Sequence, residues 1–175
     1  EYPEELETYR TTRSGLEILL RPVKISDEPL LKDFFYSLSD QSMYRRFFSI
    51  RKNVPHEMRQ EFVIIDYTKR MVILAVIPRD PQEQVVGVGQ YGIKEDEHLA
   101  VVALVVRDDY QDKGIGTELL KYLTYLAKKQ GLLGFWAEVF FENAPMLHLF
   151  EKMGFNIEKK RGAGTYELTL WFRKP

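Results

Sequence analysis

Gln111, Gly114 and Gly116 stand at a spacing that could hold an anion. They follow eight apolar residues, Leu99 to Val106, after the short link Arg107-Asp108-Asp109-Tyr110, and an amphipathic helical pattern begins directly behind them. A strand that ends there, glycines that let a ligand reach the main chain, and a helix whose first N–H groups lack partners together make an anion site, most naturally for phosphate. The N–H groups of Gln111, Asp112, Lys113, Gly114, Ile115, Gly116 and Thr117 are expected to converge on that group, with about 0.3–1 kcal/mol added by the helix dipole. Lys113 would bring charge and Thr117 a hydroxyl. Two familiar nucleotide loops are ruled out: there is no Gly-x-x-x-x-Gly-Lys-Ser/Thr, and Leu119 occupies the place of the third glycine in a dinucleotide fingerprint.

Other chemistries are narrowed by what the chain lacks. Its 175 residues contain no cysteine, so thiolate nucleophiles, disulfides and cysteine-ligated zinc are excluded. His56, His98 and His148 are far apart, and no metal site is expected. Lys plus Arg (25) nearly cancel Asp plus Glu (26), for a net charge of −1, which argues against a nucleic-acid binder. No apolar run approaches the roughly 20 residues of a membrane helix, and a cytoplasmic protein without a membrane partner is expected. Glu1, not Met, stands first, which fits a domain of a longer polypeptide.

The elements that must position the loop follow from periodicity. Residues 1–14 read as a polar lead-in or linker, and residues 15–175 as one domain. Leu16 to Arg21 reads as a strand. Ser26-Asp27-Glu28-Pro29 starts a helix carrying Leu30, Leu31, Phe34, Phe35 and Leu38, and Ser39 or Asp40 could cap a second helix carrying Met43, Tyr44, Phe47 and Phe48. Pro55 opens a third helical stretch. Met71 to Ile77 and Val85 to Tyr91 are β-rich runs joined by a turn over residues 78–84. Ile115, Leu119, Leu123 and Leu126 form a helical stripe after the loop, closed by Gly131. Phe135 to Phe141 is a further strand, Asn143-Ala144-Pro145 begins a helix ending at Gly154, and two strands, 155–159 and 165–173, close the chain. The sum is one α/β domain around a mixed sheet.

The pattern Gln111-x-x-Gly114-x-Gly116, between a strand and a helix, resembles the Arg/Gln-x-x-Gly-x-Gly/Ala motif of the GNAT acyltransferase superfamily. Asn143, Met146, Leu149, Phe150, Glu151, Lys152, Gly154 and Phe155 resemble that family's later Asn-x-x-Ala-x-x-Leu-Tyr-Glu-Lys-x-Gly-Phe element. Arg21 to Leu31, with Phe47-Phe48-Ser49, is similar to the Pat-type protein lysine acetyltransferases, where such a domain is often joined to a CoA-handling module. The resemblance covers residues 14–173. It implies a twisted mixed sheet of about six or seven strands flanked by helices, with the strands 99–106 and 135–141 splayed apart. It further implies that the loop holds the pyrophosphate of acetyl-CoA or another acyl-CoA. The Leu104, Val105 and Val106 backbone would bond its pantetheine arm like an added strand. Asn143, Met146 and Phe150 would lie beside that arm. Asp112 stands where the family usually has glycine; aspartate tolerates the left-handed backbone better than most residues.

Acyl transfer to an amine needs a base to remove the ammonium proton and a donor to polarise the thioester carbonyl. The Pat-type glutamate taken as that base falls on Val101 here, and the tyrosine that many members use as acid falls on Phe150. Glu138 is the remaining candidate base, twelve residues before Phe150, the spacing found in ribosomal-protein N-terminal acetyltransferases. Burial beside Trp136 and Phe140 is expected to raise its pKa. A structural ion pair or hydrogen bond would be the alternative role for Glu138, and His98 acting through water an alternative base. The function implied is acetyl transfer from acetyl-CoA to a protein lysine by direct attack. The alternatives are an acyl-CoA-binding regulatory module with little catalysis and a small-molecule amine acetyltransferase.

Overall fold

The computed structural model describes residues 1–47, 67–79, 82–94 and 98–173. The helical stretch expected from Pro55, the charged turn at 95–97 and part of the 78–84 turn lie outside the described residues. The β-rich runs form an eight-stranded sheet: β1 (Thr8–Thr11), β2 (Glu17–Pro22), β3 (Arg70–Ile77), β4 (Gln84–Lys94), β5 (Leu99–Val106), β6 (Gly134–Phe140), β7 (Asn156–Arg161) and β8 (Thr165–Trp171). Their order is β1-β2-β3-β4-β5-β6-β8-β7, and β5–β6 is the one parallel pair among the described residues. Four α-helices are described: α1 (Glu28–Ser37), α2 (Asp40–Phe47), α3 (Ile115–Lys129) and α4 (Ala144–Lys152).

The sheet separates two apolar layers. On one face the predicted stripe of α3 packs on β3, β4 and β5, with Ile115, Leu119 and Leu123 fully buried. Gly89 of β4 makes this close approach feasible, since a Cβ there would lie 2.9 Å from Leu123 Cδ1. On the other face Leu31, Phe34, Phe35 and Leu38, with Met43 of α2, bury against Val72, Leu74 and Val76. Gly131 adopts the left-handed conformation behind α3 as expected of a helix stop, and Leu132 N–H returns to the Ala127 carbonyl.

The eighth strand corrects the reading of residues 1–14 as a lead-in. Thr8–Thr11 pairs with Glu17–Leu20 at the sheet edge, and the segment is fastened along α3. Arg10 bonds Glu118 at 3.5 Å and lies over the Tyr122 ring, whose hydroxyl donates to the Leu6 carbonyl. A four-residue edge strand buries too little apolar surface to show a hydrophobic pattern, so its composition reads as linker.

Strands β5 and β6 are paired over only three residues, Leu99↔Gly134, Ala100↔Phe135 and Val101↔Trp136. Beyond Val101 they diverge, and this opening creates the cleft.

Candidate functional site

The divergence leaves a cleft of about 680 Å³ whose lining includes Val101 to Val106, the loop residues 110–112 and 114–117, Trp136 to Val139, Asn143, and residues 144–146 and 148–150 of α4. Every sequence-predicted site residue except Lys113 lines it.

The edge of β5 is set by its register. Arg107 N–H bonds the Val86 carbonyl, so alternate residues Val105 and Ala103 turn their peptide groups to β4. Leu104 and Val106 therefore turn theirs into the cleft. Of the three backbone sites expected, Leu104 and Val106 can face a ligand and Val105 cannot. Gln111 Nε2 donates to the Val106 carbonyl at 3.0 Å, which leaves the Val106 N–H and both Leu104 groups for an added strand.

The loop is built as a cradle with one correction. Asp112 has φ 62° and Gly114 φ 93°, two left-handed residues on either side of Lys113 that bend the chain into α3. Asp112 thus takes the conformation expected of it. Gln111, however, spends its N–H on the Asp108 carbonyl at 3.4 Å and its side chain on the strand end. Gln111 shapes the loop, and the N–H groups that lack intrahelical partners and are able to receive an anion are those of Ile115, Gly116 and Thr117 in the first turn of α3.

Asn143 is 7% exposed and accepts from Met146 N–H at 3.4 Å, so its side chain caps α4 at the cleft edge. Phe150, at 2%, is packed into the core beneath the opening. Glu138 is exposed, which corrects the expectation of burial. It shares its strand face with Trp136 and Phe140, but that face looks into the opened cleft. Its Oε2 accepts from Thr165 Oγ1 at 3.2 Å, so one carboxylate oxygen is oriented. Val101 is 39% exposed to the same cleft. His98, with φ 54°, sits in the turn before β5 and does not line it.

Sequence reasoning missed the lid over this site. Helix α2 carries Ser42, Arg45 and Arg46 into the lining, and its Tyr44 ring stacks on Phe140 at 5.0 Å. Asp108 anchors the helix: its Oδ1 accepts from Ser39 N–H at 3.0 Å, and its Oδ2 accepts from the hydroxyls of Ser39 at 2.8 Å and Ser42 at 3.0 Å. Partial burial pushes the Asp108 carboxyl upward, but these bonds outweigh it and hold it below the ordinary aspartate range. The anchor is therefore fully formed above the ordinary aspartate pKa and is lost as pH falls through the lowered value. Asp108→Ala should cost about 1–2 kcal/mol in urea unfolding at neutral pH, and the gap to wild type should close as pH falls below the ordinary aspartate range. An equal gap at both pH values would count against the anchor.

Comparisons with known proteins agree with the geometry. The Acetyltransferase (GNAT) family matches residues 32–155. Acetyltransferase PA5475 of Pseudomonas aeruginosa is 26% identical over 141 residues, 81% of this chain and 76% of that protein. Acetyltransferase Pat of Mycolicibacterium smegmatis is 30% identical over 145 residues; the match takes in 81% of this chain but spans only 42% of Pat. The crystal structure of the GNAT domain of S. lividans PAT superposes with a TM-score of 0.88 at 25% identity, covering 98% of this chain and all of that one. At 20% identity the fold is shared with the PaiA N-acetyltransferase of Thermoplasma acidophilum, solved in complex with coenzyme A (TM-score 0.69; 90% of this chain and 100% of that one).

Proposed function

Because the chain belongs to the GNAT acetyltransferase family, we propose that its cleft takes acetyl-CoA and transfers the acetyl group to a protein lysine. The observation that carries this is the loss of β5–β6 pairing beyond Val101, directly beside the 111–117 loop. The residues present fit an acyl-CoA. The first-turn N–H groups of α3 suit a diphosphate, and the outward peptide groups of Leu104 and Val106 suit an amide-bearing arm. The coenzyme A bound to the Thermoplasma N-acetyltransferase, a protein of the same fold, supports this donor. The resemblance of residues 21–31 to the Pat-type protein lysine acetyltransferases supports a protein amine as acceptor.

When bound, the thioester supplies the activated acyl group. Glu138, directly or through a water, takes the proton from the lysine ammonium, and the neutral nitrogen forms the new amide bond. Outward N–H groups of β5, Leu104 among them, are placed to polarise a carbonyl oxygen. The C–S bond breaks, the thiolate leaves, and the proton removed from nitrogen returns to sulfur through solvent. Helix α2 forms the wall over the acceptor half, where Tyr44 packs on Phe140 of the strand that carries Glu138.

A second reading, an acyl-CoA-binding regulatory module, is favoured by one observation: the cleft presents Val101 and Phe150, neither of which can move a proton. The two readings separate when acetyl-CoA binding by calorimetry is measured beside acetyl transfer to a lysine-containing protein. Transfer well above the uncatalysed rate supports the enzyme; tight binding without it supports the module. Val101→Glu should raise transfer about tenfold or more by placing a second carboxylate in the cleft. A rate no higher than wild type would show that proton removal at this position is not limiting.

A further inference from the structure

We infer that Arg13 is a phosphate-binding residue of the donor site, contributed by the turn between β1 and β2. The inference rests on the reading of the 111–117 loop as the seat of a CoA-type donor. Its basis is the way the turn is fixed to that loop. Thr12 N–H bonds the Leu16 carbonyl at 2.8 Å, Gly15 N–H returns to the Thr12 carbonyl at 2.9 Å, and the Thr12 and Ser14 hydroxyls share a bond of 2.9 Å. Ser14 Oγ then donates to the Lys113 carbonyl at 2.8 Å. The turn is therefore rigid within itself and tied to the loop.

Arg13 lies against Gly114 in this arrangement. A Cβ on Gly114 would meet Arg13 Cγ and Thr12 Cβ at 3.2 Å, so the arginine stem rests on the glycine main chain. Arg13 lines the cleft together with Gly114, Ile115, Gly116 and Thr117. It is exposed and has no ion pair among the described residues, whereas neighbouring Arg10 is engaged by Glu118 and Arg107 by Asp109. The engagement of Glu118 matters as well, because it offsets the one acidic side chain in the first turn of α3. A guanidinium with its stem held on the loop and its charge uncommitted is suited to anionic phosphate oxygens.

A CoA-type donor offers that chemistry twice, in its diphosphate and in its 3′-phosphate. Calorimetry of wild type, Arg13→Ala and Arg13→Lys with coenzyme A and with 3′-dephospho-coenzyme A distinguishes them. Arg13→Ala should weaken coenzyme A binding about tenfold, the scale of one charge-assisted hydrogen bond, with unchanged melting temperature. Arg13→Lys should recover part of the loss, and the gap should narrow as salt rises. A loss on both ligands assigns Arg13 to the diphosphate; a loss on coenzyme A alone assigns it to the 3′-phosphate. Unchanged affinity of Arg13→Ala for both ligands overturns the inference while leaving the donor site standing. Failure of wild type to bind coenzyme A overturns the donor site and the inference with it.

Discussion

Gly116→Glu should abolish measurable binding of coenzyme A, a loss of at least about 100-fold, while the protein stays folded. The space around Gly116 separates the two effects. A Cβ there would lie 3.4 Å from Leu149 Cδ2 and 3.6 Å from Leu104 Cδ1, ordinary packing distances, and the residue needs no left-handed backbone. Gly116→Ala should therefore fold normally and lose little affinity. Glutamate at the same place adds a long side chain and a negative charge where the first-turn N–H groups of α3 would receive a diphosphate. Gly114→Ala makes the contrasting case: φ of 93° and contacts of 3.2 Å strain any side chain, at a cost of about 1–2 kcal/mol. Calorimetry with coenzyme A beside thermal melts reads all three. Retained affinity in a folded Gly116→Glu protein would remove the loop from the donor site.

Glu138→Gln should lower kcat for acetyl transfer about 10²–10⁴-fold, the usual worth of a positioned general base, with KM and coenzyme A affinity nearly unchanged. The side chain is oriented by Thr165, whose hydroxyl can still donate to the amide oxygen of glutamine, so geometry is preserved while basicity is lost. The exposure of Glu138 makes a route through water to the lysine ammonium straightforward. A compensating rise in rate at high pH, where more lysine is already neutral, would identify proton removal as the missing step. A variant with wild-type kcat would exclude Glu138 from the reaction.

How far the sequence revealed the site depended on distance along the chain. The strand, loop and helix at 99–129 were legible because their signals are local: an apolar run, glycines at a fixed offset and a helical stripe. The positive φ of Asp112 followed from residue chemistry in the same way. The contacts that complete the site are not local. Asp108 holds Ser39 across 69 positions, and Ser14 meets Lys113 across 99, so no short window contains both partners. Period-two alternation did place Trp136, Glu138 and Phe140 on one face. It could not say that this face borders an opening, since that depends on where β5 and β6 stop pairing.

The bond between Ser14 and Lys113 also gives the proposed donor cradle a place in folding. The turn of the β1–β2 hairpin is closed by local bonds, whereas its bond to the loop joins residues 99 positions apart in the chain. Closing so long a stretch of chain carries a large entropic cost and belongs to the non-local contacts that slow assembly. A chain caught before that closure would hold every residue of the loop in sequence and still lack the cradle. Nucleotide held between turn and loop would act as a latch on the finished sheet, prolonging the life of the native state rather than hastening its arrival.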